Sequence, residues 1–110
     1  MMDKIVFIST PMSGLPDSRI RENLGKAKDE YLRRFDLDPE DVYFKDNFEP
    51  EDDNDGEYRG MYPPLYFLGR AMIKMAHSDE VFFFGEWKEA RGCQIEHEVC
   101  VKYGIPYVEA

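Results

Sequence analysis

No stretch of this chain approaches the run of about 18 apolar residues that a membrane-spanning helix needs. No positively charged start leads into an apolar segment, so no secretory leader is expected either. Basic residues are scarce, with 14 Lys and Arg against 23 Asp and Glu and a net charge of −9. Phosphate-backbone binding needs clustered Lys and Arg, so nucleic acid is excluded as a partner, leaving a small molecule or another protein. Cysteine is reduced to Cys93 and Cys100. Seven apart on one expected helix, they are too distant for a disulfide, which fits a reducing, cytoplasmic compartment. No further Cys or suitably spaced His completes a metal site, so neither metal nor cofactor is expected. Internal repeats and a linker are also missing, and 110 residues suit one domain, 1–110, able to bury about 60% of its unfolded surface.

What remains is globular in composition, 43% hydrophobic and 15% aromatic. Residues 4–9, KIVFIS, form a β-branched and aromatic run ending in the loop residues TPMSG, which predicts a first strand. From Asp17, the apolar positions Ile20, Leu24, Ala27, Tyr31 and Phe35 recur at helical spacing, with Asp17 or Ser18 as the cap. DLDPED reads as a turn, VYF at 42–44 as a second strand and 45–61 as an acidic loop. Its run EPEDDNDG lacks the spacing and closing Glu of a calcium loop and reads as a solvated flap. Leu65, Leu68, Met72, Met75 and Ala76 mark the face of a second helix, with Pro63 and Pro64 in its first turn. EVFFF at 80–84 is an apolar strand. GEWKEARG is a loop, 92–103 a third helix, Gly104 its C′ residue, and IPYVE the last strand.

The order β-α-β-α-β-α-β, with continuously apolar strands, predicts a three-layer α/β fold of the Rossmann or flavodoxin-like kind, its parallel sheet holding four or five strands. Right-handed crossovers leave strand order 2-1-3-4, with a switch point between strands 1 and 3. Ligands of such sheets bind at the carboxyl ends of the strands flanking the switch. TPMSG follows strand 1 there, and GEWKEARG follows strand 3.

The second loop runs into RGCQIEHEVC, residues 91–100. On a helix at about 100° per residue, with Ile95 at zero, Val99 falls near 40°, Tyr103 near 80°, Glu96 near 100° and Cys100 near 140°. Glu96 therefore points inward with the apolar arc, whereas His97 and Glu98 point to water. A carboxylate one turn into a helix that opens on a cleft is expected to be held ionised by the helix dipole. A partly desolvated one can serve as base or nucleophile, including at a sugar's anomeric carbon. A Glu salt-bridged within the sheet edge or a subunit interface has the same pattern. TPMSG can present backbone N–H groups and the Ser13 hydroxyl to a phosphate or ribose, or be a plain tight turn; it lacks the Lys of a Walker A loop. Trp87 can stack on a base or shelter the core. His77 and His97 read as exposed helix residues.

VFISTPMSGLPD, SDEVFFF and WKEARGCQIEHEVCVKYGIPY together resemble a family of small bacterial and phage proteins of unassigned function, similar to a branch of the nucleoside 2-deoxyribosyltransferase superfamily. The likeness covers both ends of the chain and most of its last half, and little of 36–61. It implies cleavage or transfer at the N-glycosidic bond of a (deoxy)nucleoside or nucleoside 5′-monophosphate. In those transferases the helix glutamate attacks C1′ and displaces the base, and a second base or water then takes the sugar. Carried over, the nucleophile is Glu96, and Gly92 opens the helix to substrate. Pro11, Met12, Ser13 and Gly14 line the sugar or phosphate, and Phe7 stands where relatives place a Tyr. Relatives carry an Asp in helix 2, eight residues before the Asp matched by Asp79. This chain has Ala71 there, one turn from Leu68, where an Asp would reach the cleft rim. It also has Ala90 where an acid or hydroxyl precedes the nucleophile, leaving Glu86 or Glu89 as acids. Loss of these partners leaves open a non-catalytic nucleoside- or nucleotide-binding module. Relatives are similar in being oligomeric, and Tyr62, Tyr66, Phe67, Trp87 and Tyr103 near helix surfaces also point to a homodimer or higher homo-oligomer.

Overall fold

The computed structural model describes residues 4–48 and 61–110. The elements are β1 (Lys4–Ser9), α1 (Asp17–Arg34), β2 (Val42–Lys45), α2 (Pro63–Ala76), β3 (Glu80–Phe83), α3 (Arg91–Tyr103) and β4 (Tyr107–Glu109), with 3₁₀ turns at Pro39–Asp41 and Trp87–Glu89. The sheet is parallel throughout, in the order β2-β1-β3-β4. This is the expected α/β architecture of Rossmann or flavodoxin-like type. Among the described residues there are four strands and no fifth. The acidic flap EPEDDNDG lies outside the described residues.

Two core clusters flank the sheet. Val6, Ile8 and Phe82 pack with Ile20, Leu24, Ala27 and Tyr31 of α1. Phe7, Val81 and Phe83, on the opposite face by strand alternation, pack with Ala71 and Met75 of α2 and Cys93 and Cys100 of α3. One face thus carries a single helix and the other carries two. At the amino-terminal edge, Ile5 and Asp79 clasp β1 to the entry of β3. The Ile5 N–H donates to Asp79 Oδ2 at 2.8 Å, and the Asp79 N–H donates to the Ile5 carbonyl at 2.7 Å. Asp79 is therefore a clasp at the end of the sheet remote from the switch-point loops.

Several expectations need correction. The cap of α1 is Pro16, with no side-chain cap bond, so neither Asp17 nor Ser18 caps it. The buried stripe of α2 is Ala71, Lys74 and Met75, while Leu65 is 64% exposed. The helix is rotated because Lys74 can be buried once its Nζ donates to the Asp46 carbonyl at 2.7 Å. On α3 the buried set is Cys93, Glu96 and Cys100, and Ile95 and Tyr103 are exposed. The inward arc is centred nearer 140° than 40°, which leaves Glu96 inside it.

Candidate functional site

The polypeptide places one carboxylate at the switch point. Ser9 ends β1 beside Phe83 of β3, and its hydroxyl donates to Glu96 Oε1 at 2.7 Å, across 87 residues of sequence. Both are buried, Ser9 at 2% and Glu96 at 7% exposure. Gly104, left-handed at φ 70°, ends α3 and turns the chain back into β4, fixing the helix over the sheet.

Burial pushes the Glu96 carboxyl up from 4.5 to about 7, against the downward pull of the Ser9 hydrogen bond. The expected ionisation by the helix dipole is corrected here. Glu96 is the sixth residue of α3, beyond the first turn in which the dipole acts. At neutral pH the group sits near its midpoint, where a carboxyl can both take and release a proton. Burial likewise pushes the Cys93 and Cys100 thiols up to about 11, so both are neutral. Both are free, as expected.

The loop after β1 meets the loop after β3. Gly85 has φ 74°, and a Cβ placed there would lie 3.4 Å from Thr10 Oγ1 and 3.9 Å from Pro11 Cδ. A left-handed backbone and a near neighbour both favour glycine at this position. Around Gly14 the chain also turns left-handed, at φ 79°, closed by the Leu15 N–H donating to the Met12 carbonyl at 3.1 Å.

The expected lining residues separate into two groups. Pro11 is half-buried, Ser13 and Gly14 are exposed at the carboxyl edge of the sheet, and Gly92 is exposed in the first turn of α3. Met12 instead packs against the α1 core, and Phe7, 1% exposed, lies within the α2–α3 core, as a floor with no open face. Of the two roles open to Trp87, the structure favours sheltering the core. It is 7% exposed and its ring stacks on His97 at 4.7 Å and 20°, with Phe83 at 5.0 Å. His97 is correspondingly half-buried rather than exposed, held edge-on to Tyr107. Its Nε2 has no hydrogen-bond partner and lies 3.6 Å from Glu109 Oε1. Ala71 is fully buried, in the cluster that holds Phe7, Trp87 and Cys93. Glu86 and Glu89 are exposed, and among the described residues the hydrogen bond recorded for the Glu96 carboxylate is the one from Ser9.

Sequence reasoning missed Ser9 and Thr10, both buried. The signal was available: with a period of two, Ser9 shares the face of Phe7, and a hydroxyl ending an apolar strand at a switch point needs a partner.

A Cβ on Gly92 would meet nothing within 4 Å, so Gly92→Ala is expected to leave the fold intact. If substrate approaches over this turn, KM rises with little change in thermal midpoint. Unaltered KM for a cleaved nucleoside would remove Gly92 from the substrate path.

Comparison with family models, with curated proteins and with solved structures returned no match.

Proposed function

We propose that the protein cleaves or transfers at the N-glycosidic bond of a (deoxy)nucleoside or its 5′-monophosphate, with Glu96 as nucleophile. The observation that supports this reading most is a buried carboxylate at the switch point, oriented by a hydroxyl from the neighbouring strand. A carboxylate in that place can attack C1′ as the bond to the base breaks, forming a glycosyl ester. Water or a second base then attacks C1′, and the carboxylate leaves again. The Ser9 bond occupies Oε1 and leaves Oε2 for the attack. Pro11, Ser13, Gly14 and Gly92 border the space that sugar and phosphate would fill. The remaining proposals are that the ligand is a small nucleoside or nucleotide and that the chain works in the cytoplasm. No helix among the described residues is long and apolar enough to cross a membrane.

A second reading, a binding module without turnover, is favoured by one observation. No second carboxylate is seen on Glu96 among the described residues, and position 71 is a buried alanine. Protonation of the leaving base would then lack the help worth roughly 10² to 10⁴ in rate.

The pH profile separates the roles open to Glu96. A nucleophile must be ionised, so kcat/KM is expected to rise with pH and level off above about 7. Ser9→Ala removes the bond that favours the charged form, so the rise moves to higher pH. Chromatography of free base from a nucleoside and nucleotide panel, run across pH, provides the rates. A rate that falls through pH 7 would make Glu96 an acid instead. Tight nucleotide binding with no base released by wild type at any pH would favour the binding module.

A further inference from the structure

Among the described residues, the buried polar or charged side chains are Ser9, Thr10, Asp46, Lys74 and Glu96. Ser9 and Glu96 bind each other, Asp46 Oδ1 accepts the Phe48 N–H at 2.9 Å, and Lys74 donates to the Asp46 carbonyl. Thr10, 5% exposed, has no hydrogen-bond partner for its hydroxyl among the described residues. A buried hydroxyl left unpaired costs free energy, so its persistence calls for a partner from outside the fold. It is not sealed in either. Among the described residues, the side-chain polar atom that lacks both a partner and any reach to solvent is His97 Nε2, so the Thr10 hydroxyl keeps an accessible face. Its place is the switch point. Thr10 is the first residue after β1, and the Phe84 N–H donates to the Ser9 carbonyl at 3.0 Å, which carries the β1–β3 pairing up to the two loops. Beside it, Gly85 presents no side chain; a Cβ there would lie 3.4 Å from Thr10 Oγ1 and narrow the approach to it.

We propose that the Thr10 hydroxyl binds the 3′-hydroxyl of the substrate's sugar. This rests on the reading of Glu96 as the nucleophile at C1′. Displacement there is in line, so the base departs from the face opposite the carboxylate, and groups beside the carboxylate meet the sugar rather than the base. Ser9, which holds Glu96 Oε1 at 2.7 Å, is the residue next to Thr10 in the chain. In a β-nucleoside, the face opposite the base bears the 3′-hydroxyl, and in a ribonucleoside the 2′-hydroxyl as well. The 2′ position adjoins C1′ and lies against Glu96 itself. Thr10 stands one residue beyond Ser9, which makes the more distant 3′-hydroxyl its partner. A hydroxyl both donates and accepts, so the pair forms without charge and serves a sugar with or without a 2′-hydroxyl.

Thr10→Val keeps the branched shape and removes the hydroxyl. Wild type and variant are compared on 2′-deoxynucleosides and their 2′,3′-dideoxy counterparts, by kcat/KM where base is released and by calorimetric dissociation constants where it is not. Wild type is expected to prefer the 3′-hydroxylated compound by about 10-fold. Thr10→Val should lose that preference while handling the dideoxy compound as wild type does. Its thermal midpoint should be unchanged or higher, because a buried hydroxyl without a protein partner adds nothing to the fold. No preference in wild type, or a preference retained in Thr10→Val, would overturn the assignment while leaving Glu96 as nucleophile. A midpoint lower by roughly 4 °C or more would also overturn it, since that is the mark of a lost structural hydrogen bond. Binding without release of base would count against the nucleophile, and the dissociation constants would then decide the role of Thr10 by the same preference. A wild type that neither binds nor cleaves any of these compounds would overturn both.

Discussion

Glu96→Gln is expected to abolish glycosidic turnover and, at the same time, to stabilise the fold at alkaline pH. The amide preserves shape and can still accept the Ser9 hydrogen bond through its carbonyl oxygen, but it cannot form the glycosyl ester. Loss of a nucleophile of this kind typically costs 10⁴-fold or more, roughly. The stability effect follows from linkage. The folded carboxyl titrates at about 7 against 4.5 in the unfolded chain. Below 4.5 both states hold the proton and the group is neutral in its effect. Between 4.5 and 7 the unfolded chain releases its proton first, so folding is progressively opposed. Above 7 the penalty is complete, and at about 1.4 kcal/mol per pH unit it reaches about 3 kcal/mol. The glutamine variant escapes it. Urea unfolding of both proteins at pH 4 and pH 8 should therefore show their difference growing in favour of Glu96→Gln. Glu98→Gln is the control: Glu98 is exposed and pairs only with Lys102 on its own helix, a contact worth a few tenths of a kcal/mol at about 0.5 or less. A Glu96→Gln protein that cleaves nucleosides at the wild-type rate would end the nucleophile role. An unchanged stability difference between pH 4 and pH 8 would mean that Glu96 is solvated.

Ala71→Asp is expected to destabilise the protein by about 3 kcal/mol or more, and not to add activity. Resemblance to the transferases suggests the opposite, a gain of hydrolysis from restoring an acid. The side chain at 71, however, is fully buried within the cluster that holds Phe7, Met75, Trp87 and Cys93. The buried Lys74, one turn on along α2, already donates to the Asp46 carbonyl, and an ionised carboxylate at 71 would be desolvated. It would also face the α3 layer that already holds Glu96, where like charge opposes a second ionisation. Ala71→Asn gives the comparison, since it has similar bulk without the charge. The Asp variant should fall further below the Asn variant as pH rises. Denaturant midpoints for both, measured at pH 5 and pH 8, provide the result. A stable Ala71→Asp protein with faster base release would place position 71 at the substrate after all.

Much of the architecture was legible before the structure because it depends on local periodicity. The apolar runs KIVFIS and EVFF, the helical recurrence from Ile20 to Tyr31 and the glycine at 104 each specify an element within a few residues. Right-handed crossovers then leave the order 2-1-3-4. Glu96 was legible for the same reason, since its angle on α3 falls within the buried arc even when that arc is centred 100° away. What failed was whatever depended on which neighbour a face would meet. Helix α2 turned its Leu65 side outward because Lys74 found a buried carbonyl at Asp46. His97 came inward because Trp87 offered a ring to stack on, and Ala71 of α2 turned into the cluster it shares with residues of the sheet and α3.

The elements, their order and the carboxylate at the switch point each follow from side-chain spacing along one segment. It took the packed fold to show that Ser9 holds that carboxylate and that burial brings it to about 7 rather than leaving it ionised. Those outcomes depend on contacts between residues far apart in sequence, and on the local dielectric that such contacts create.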